Sequence, residues 1–457
     1  MALKIDYGLT SEKLSSKVYR VFELSAGKIL SLHKNWHPNK GSPVFTVEGK
    51  YTSRGWTEWT RGFQFGSPLL QFDATGEEKF LEIGRRGTLQ VMAAHVSHMG
   101  VHDHGFNNIS TYGNLWRLMR ENRIPFDQRE KDFYELALKV SGAVQAARWT
   151  RSEDGKGFIF SFNGPHSLFV DTLRSLRSLA VAHQLRHVLM GECDRKISLL
   201  QRLLEHAELT ARFNIYYGEG RDIYDQRGRT AHEAIFNPID GRFRCPSTQQ
   251  GFSPFSTWMR GLAWGLLGYA EQLEFLASLK ASGRLKSLRE LFTEAAEATA
   301  DFYLANSCSD GIPMWDTGAP GLLHLGDYLQ KPANPFNRFE PVDSSAAAIA
   351  AQGLIRLANF LAGEGDQRNS RRYRQAGLTL AGTLFDEPYL AGDSRHQGLL
   401  LHSVYHRPNG WDYIAPRQKV PNGESSMWGD YHLRELALMI LREIRREPYL
   451  VFFDTSR

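Results

Sequence analysis

The chain has 457 residues, 55 Lys and Arg against 50 Asp and Glu (formal charge +5), and is 42% hydrophobic and 23% charged. That is ordinary globular usage, which excludes a fibrous or disordered chain and leaves ample material for a large core. The basic residues are spread along the sequence, so no nucleic-acid-binding stripe is expected, and no apolar run reads as the roughly 20 residues of a membrane span.

The Met-Ala-Leu-Lys-Ile-Asp start lacks the basic-then-apolar layout of a secretory signal. Cys193, Cys245 and Cys308 are odd in number and lack metal spacing. A reducing, cytoplasmic setting without a disulfide framework is therefore expected, or a periplasmic one if a signal has been removed. The first periodic segment, Leu14, Val18, Val21, Phe22, Ser25, Ile29, Leu32, has the spacing of an amphipathic helix. Trp59-Thr-Arg-Gly-Phe-Gln-Phe-Gly follows a polar loop and opens an apolar segment, and Trp258-Met-Arg-Gly-Leu-Ala-Trp-Gly resembles it. Comparable loop-to-helix junctions near Asp103, Asp171, Asp343 and Trp428 bring the number to about six. Residues 157–162 (GFIFSF) are the best strand candidate and would not make a sheet alone. Helical rhythm returns at Leu288, Leu291, Phe292, Ala295, Thr299, Phe302, Tyr303 and again after Asp343, a good N-cap for the alanine-rich run that follows. Arg371, Arg372 and Arg374 read as a solvated helix face. Prolines gather in residues 312–320, 332–341 and 408–421, in long loops rich in Gly, Asp and Trp that are expected to be functional. No linker poor in apolar residues divides the chain. The expectation is a single all-α domain over residues 1–457, its helical hairpins closing into a ring, with few or no strands.

The 27 Phe, 17 Tyr and 10 Trp read either as large core residues or as a sugar cleft, where flat rings serve as apolar platforms among polar groups. His102-Asp103-His104-Gly105-Phe106 offers either a metal site, a capped turn or a positioning carboxylate; adjacent residues rarely converge on one ion, which disfavours metal. Asp171, after Leu168-Phe169-Val170, reads either as an N-cap or as an acid whose pKa is raised by apolar neighbours. Two such aspartates could face one sugar ring, and paired carboxylates are the usual equipment for glycoside cleavage. Arg260 and Trp264 are four apart, on one helix face. A guanidinium beside an indole suits a carboxylated sugar, or is an Arg–Trp stack with no ligand.

These motifs together resemble the unsaturated glucuronyl hydrolases of glycoside hydrolase family 88, and more distantly the unsaturated rhamnogalacturonyl hydrolases of family 105. The resemblance rests on Trp59-Thr-Arg-Gly-Phe, His102-Asp103-His104-Gly105-Phe106, Phe169-Val-Asp171-Thr-Leu, His232, Gln250-Gly251-Phe252 and Ser256 through Trp264. It continues through Asp310-Gly-Ile-Pro-Met-Trp-Asp316, Asp343-Ser-Ser-Ala-Ala-Ala and Ser426-Met-Trp-Gly-Asp-Tyr431. It implies an (α/α)6 barrel acting on an oligosaccharide with a 4,5-unsaturated uronic acid at its non-reducing end, by hydration of the vinyl ether. It implies Asp171 as general acid and base and Asp103 as the second carboxylate. Trp59, His102, Phe106, Trp149, His232, Gln250, Arg260 and Trp264 would line the sugar site. No metal or organic cofactor, nucleic acid or membrane is implied, and the protein would be a monomer or homodimer.

Thr172-Leu-Arg-Ser-Leu-Arg stands where the family is usually rich in Asn and Met, and His104 and Asn107-Asn108 stand where apolar or aromatic residues are usual. These departures bear on the leaving sugar, its linkage and its sulfation. Two alternatives are an (α/α)6 sugar epimerase or isomerase, which would call for paired histidine bases, and a uronate-oligosaccharide-binding protein that has lost turnover through the altered helix after Asp171.

Overall fold

A computed structural model describes residues 2–56, 58–280 and 282–453, apart from the side chain of Pro38. Helices dominate, and they sort by burial. Arg61–Thr75, Met259–Ala277, Ser344–Gly363 and Met427–Ile444 are buried on nearly every face, which marks them as interior elements. Two shorter interior runs complete the set. One passes from His104–Asn107 through a π-helical turn, Ile109–Gly113, to Asn114–Arg120; the other joins Thr172–Ser175 to Arg177–Gln184. Each of these six packs on the next and the last returns to the first.

Around them lie helices that are less completely buried: Ser15–Asn35, Glu78–Val91, Gln128–Ala147, Leu199–Phe213, Gly283–Asn306 and Gln367–Leu384. The result is the (α/α)6 barrel, and each of the six loop-to-helix junctions read from the sequence opens one of its inner helices. Asp343 is the N-cap expected of it: its carboxylate accepts the backbone N–H groups of Ser345 (3.1 Å) and Ala346 (3.4 Å). The arginine-rich face is ion-paired at the surface, Arg372 to Asp301 (2.7 Å) and Arg374 to Glu443.

One expectation needs correction. Ser344–Gly363 is long and apolar enough to cross a membrane by length and composition, but 83% of its apolar window is buried within the barrel. Its small residues let neighbouring inner helices approach, as Gly353 does against Leu266 and Leu267. Strands are few, as expected, and short. Among the described residues nine short strands form four antiparallel sheets, including Trp149–Arg151 paired with Gly157–Ile159. The three-stranded sheet Ser167–Phe169, Glu233–Phe236, Phe243–Ser247 matters most for function. Strands of three to five residues are too short to show a period of two.

The inner ring is tight enough to require glycine where helices meet. A Cβ on Gly62 would lie 2.4 Å from the Asn107 backbone, and one on Gly105 would lie 2.2 Å from the Ser175 carbonyl oxygen. Gly27, on the outer helix Ser15–Asn35, has nothing within 4 Å of that position. Gly105→Ala is therefore expected to cost about 1–3 kcal/mol or more through overpacking, and Gly27→Ala to gain about 0.5–1 kcal/mol of helix stability. Urea unfolding of the two variants checks both signs.

Candidate active site

Asp103 and Asp171 each stand immediately before an inner helix, yet neither carboxylate caps it. Their side chains are 11% and 12% exposed and turn instead toward two imidazoles. His102 Nε2 lies 3.4 Å from Asp171 Oδ1 and 3.6 Å from Asp103 Oδ1, bridging the carboxylates. His232 Nε2 lies 3.8 Å from the other oxygen of Asp171. His232 Nδ1 accepts the backbone N–H groups of Gln249 (3.0 Å) and Gln250 (3.4 Å), so the ring proton sits on Nε2 and faces the carboxylate.

Backbone pairing brings these groups together. In the three-stranded sheet Phe169 pairs with Glu233, and the Val170 N–H donates to the His232 carbonyl at 3.0 Å. Asp171 and His232 thus leave neighbouring strands side by side. Asn214 Nδ2 bonds the carbonyls of Ala231 (3.1 Å) and Leu168 (3.3 Å), fastening both strands. Asp103 arrives from the adjacent inner helix. Ser175 Oγ accepts from the Gly105 N–H (2.8 Å) and from Gln145 Nε2 (3.0 Å), which also donates to the His102 carbonyl (2.7 Å).

The carboxyl groups are pushed in opposite directions. Burial, reinforced by the charge on Asp171 and opposed by His102 and Arg148, pushes Asp103 up to about 6. Burial also acts to raise Asp171, but hydrogen bonds from His102 and His232, with the charge of His102, outweigh it and hold that carboxyl well below the usual range. Burial lowers His102, but Asp103 and Asp171 outweigh it and its proton is held more firmly than usual. The expectation that apolar neighbours keep Asp171 protonated is therefore reversed. Those neighbours are in the sheet, while the Asp171 carboxylate meets two imidazoles.

His104 faces away from the pair. Its Nδ1 lies 3.0 Å from Ser141 Oγ and its Nε2 2.9 Å from the His98 carbonyl. Among the described residues, no group of three His, Cys, Asp or Glu is placed to hold a metal.

An aromatic floor adjoins the charged cluster. Trp59 stacks on Trp428 (5.1 Å, 27°) and meets Phe106 (6.0 Å), and Phe106 meets Trp264 (4.9 Å). The two regions join through Phe169, His232 and Trp258, each ring 4.3–4.8 Å from the next. Arg260 differs from its expected role. Its guanidinium lies between Trp258 (4.6 Å) and Trp428 (4.8 Å), pairs with Asp343 (2.9 Å), and donates to Gln250 Oε1 (3.0 Å) and to the Val404 and Tyr405 carbonyls. It is engaged by the protein instead of being held out for a sugar carboxylate, and its stacking partners are Trp258 and Trp428 instead of Trp264. Gln250 is thereby oriented by Arg260. Trp149 stands on its own hairpin, its ring 3.8 Å beneath the Arg202 guanidinium.

The sequence reading named neither Phe162, stacked 6.2 Å from His102, nor the residues that hold the site from behind. Asp316 accepts the Phe252 N–H (2.9 Å) and so fixes the Gln250 loop. Arg174, three residues after Asp171, is buried against Glu271 and Glu435. Asp316, Asp343, Trp258 and Trp428 lie inside motifs that were recognised, so position gave a signal even though role did not. Phe162 gave none.

Removing Arg260 leaves Asp343 buried without its counter-charge. Arg260→Ala is expected to lose about 3–5 kcal/mol of stability, measured by urea unfolding; a group serving only to bind substrate would leave the unfolding midpoint in place.

No family model matches the sequence. The unsaturated glucuronyl hydrolase of Bacillus sp. (strain GL1) is 26% identical over 408 residues, 86% of this chain and 89% of that protein. An unsaturated chondroitin disaccharide hydrolase of Streptococcus pyogenes serotype M1 is 23% identical over 410 residues, 87% and 85% of the two chains. The crystal structure of the Bacillus sp. GL1 enzyme superposes with a TM-score of 0.71 at 21% identity, covering 96% of this chain and 99% of that one. Along most of its length the chain is similar in sequence to the unsaturated glucuronyl hydrolases, and it shares the fold of the Bacillus sp. GL1 enzyme.

Proposed function

We propose that this protein removes a 4,5-unsaturated uronic acid from the non-reducing end of oligosaccharides generated by a polysaccharide lyase, by adding water across C4=C5. The observation that carries the reading is the pair Asp103 and Asp171, bridged by His102 Nε2 and pushed toward opposite protonation states. Environments that drive two carboxyls apart separate an acid from a base.

In this reading Asp103, protonated below about pH 6, supplies the proton to C4. The positive charge that develops at C5 and the ring oxygen is met by the ionised Asp171. Asp171 accepts a proton from the water that adds at C5, while His102 and His232 hold its two oxygens. The hemiketal so formed opens by cleavage of the bond between C5 and the ring oxygen, leaving a ketone at C5. The hydroxyl generated on C1 makes that carbon a hemiacetal, which expels the next sugar as an alcohol. One water is consumed. The family resemblance assigns both proton transfers to Asp171; the opposed carboxyls support dividing them. Trp59, Phe106 and Trp264 supply the apolar floor beneath the ring.

The segment after Asp171, where the sequence departs from the family pattern, has a structural use. Arg174 anchors to Glu435 (2.6 Å) and Ser175 fastens the Asp103 loop. This supports turnover over a binding-only role.

The substrate's conjugated double bond absorbs in the ultraviolet, and purified protein is expected to abolish that absorbance with at least one member of a panel of unsaturated glucuronyl and galacturonyl oligosaccharides. Unchanged absorbance across the panel refutes the reading. Asp171→Asn is expected to lose about a hundredfold or more in kcat.

The division of roles has its own signature. kcat/KM should be level on the acid side and fall above about pH 6 as Asp103 loses its proton. Asp103→Asn should lower activity and remove that limb. A wild-type profile flat to pH 8, or one whose limb survives in Asp103→Asn, would return the acid role to Asp171.

A further inference from the structure

Beyond the catalytic pair, aromatic side chains continue outward to the surface. Phe162 stacks on His102 at 6.2 Å and 21°, and Trp56 packs against Phe162 at 6.2 Å. Phe162 is 50% exposed and Trp56 76% exposed. From the aromatic floor a second line rises through Trp428 and Tyr405 (5.4 Å) to Trp411 (5.3 Å). The lines meet at the surface, where Arg54, Gly55, Trp56 and Trp411 line one open groove of about 420 Å³, a volume suited to a small ligand. Trp56 also has φ +60°, a conformation that costs a bulky residue and is kept where surrounding structure or function calls for it.

We infer that Trp56, with Phe162 and Trp411, forms the subsite for the sugar expelled by the reaction, its pyranose ring lying across the exposed indole of Trp56. This rests on the assignment of Asp103 and Asp171 above, and extends it from the unsaturated ring to the leaving sugar. Both lines of rings reach the groove from the reacting centre, one through His102 and one through Trp428. A chain that enters the floor with its terminal ring must lead its second ring out along such a path. The aliphatic C–H face of a pyranose suits an indole, which offers broad apolar contact with little side-chain freedom to lose.

The test compares two substrates, an unsaturated uronyl disaccharide and the matching methyl glycoside, which lacks a second sugar. Trp56→Gly removes the ring while keeping a backbone at ease with positive φ. The ratio of kcat/KM for the disaccharide to that for the methyl glycoside is expected to fall about tenfold in this variant, and Trp56→Phe to recover most of it. An unchanged ratio in Trp56→Gly, with an active wild-type enzyme, overturns the subsite alone. A wild-type protein that consumes neither substrate overturns the active-site assignment and the subsite with it.

Discussion

The site depends on the contact between Gly105 and Ser175. Two inner helices must approach until only a hydrogen fits between them, because the carboxylates of Asp103 and Asp171 stand before separate helices and share one imidazole. The Ser175 hydroxyl accepts the Gly105 N–H, Gln145 ties the same serine to the His102 carbonyl, and Arg174 anchors the neighbouring turn to the buried carboxylates of Glu271 and Glu435. Buried ion pairs of this kind are poor sources of net stability, since desolvation cancels much of their attraction. What they supply is direction. A guanidinium buried between two carboxylates has few alternative positions, so the turn that carries Asp171 is fixed relative to the helix carrying Glu435.

Charge at the centre follows from who meets whom. Asp171 is approached by two imidazoles on its two oxygens; Asp103 shares one of those imidazoles and also feels the charge of Asp171. Burial alone would raise both carboxyls. The asymmetry of partners separates them, and the asymmetry comes from the sheet: pairing of Phe169 with Glu233 sets His232 beside Asp171 and not beside Asp103. A small antiparallel sheet in a helical protein thus determines which of two equivalent side chains keeps its proton.

That division explains what could be read from the sequence. The six inner-helix openings were legible because each combines a polar loop, a turn or cap residue and a long apolar run. Asp103, Asp171, His102 and His232 were legible as a set because they stand in ordered motifs. The protonation of Asp171 was misread because the apolar residues beside it in sequence, 168–170, belong to a strand, while its carboxylate neighbours come from residues 69 positions before and 61 after. The stacking partner of Arg260 was misread for the same reason. Its helical spacing to Trp264 was correct, but its stacking partners are Trp258, at the start of the helix, and Trp428, from the opposite end of the chain. Local spacing identifies a residue's face and says little about the face across from it.

Arg260 also shows how the barrel divides labour. The floor is built from groups whose hydrogen bonds are met by other inner elements: Arg260 by Asp343, Gln250 by Arg260, the Gln250 loop by Asp316. Each such residue constrains the next, so a change in one is felt through the set. The rim is different. Trp56, Phe162 and Trp411 stand on loops, are partly exposed, and are held by ring contacts, Trp56 to Phe162 and Trp411 to Tyr405. Loops carried on a rigid scaffold vary at low cost in stability. A rim of this kind can therefore vary in sequence while the inner helices keep the bridged carboxylates of Asp103 and Asp171 in place.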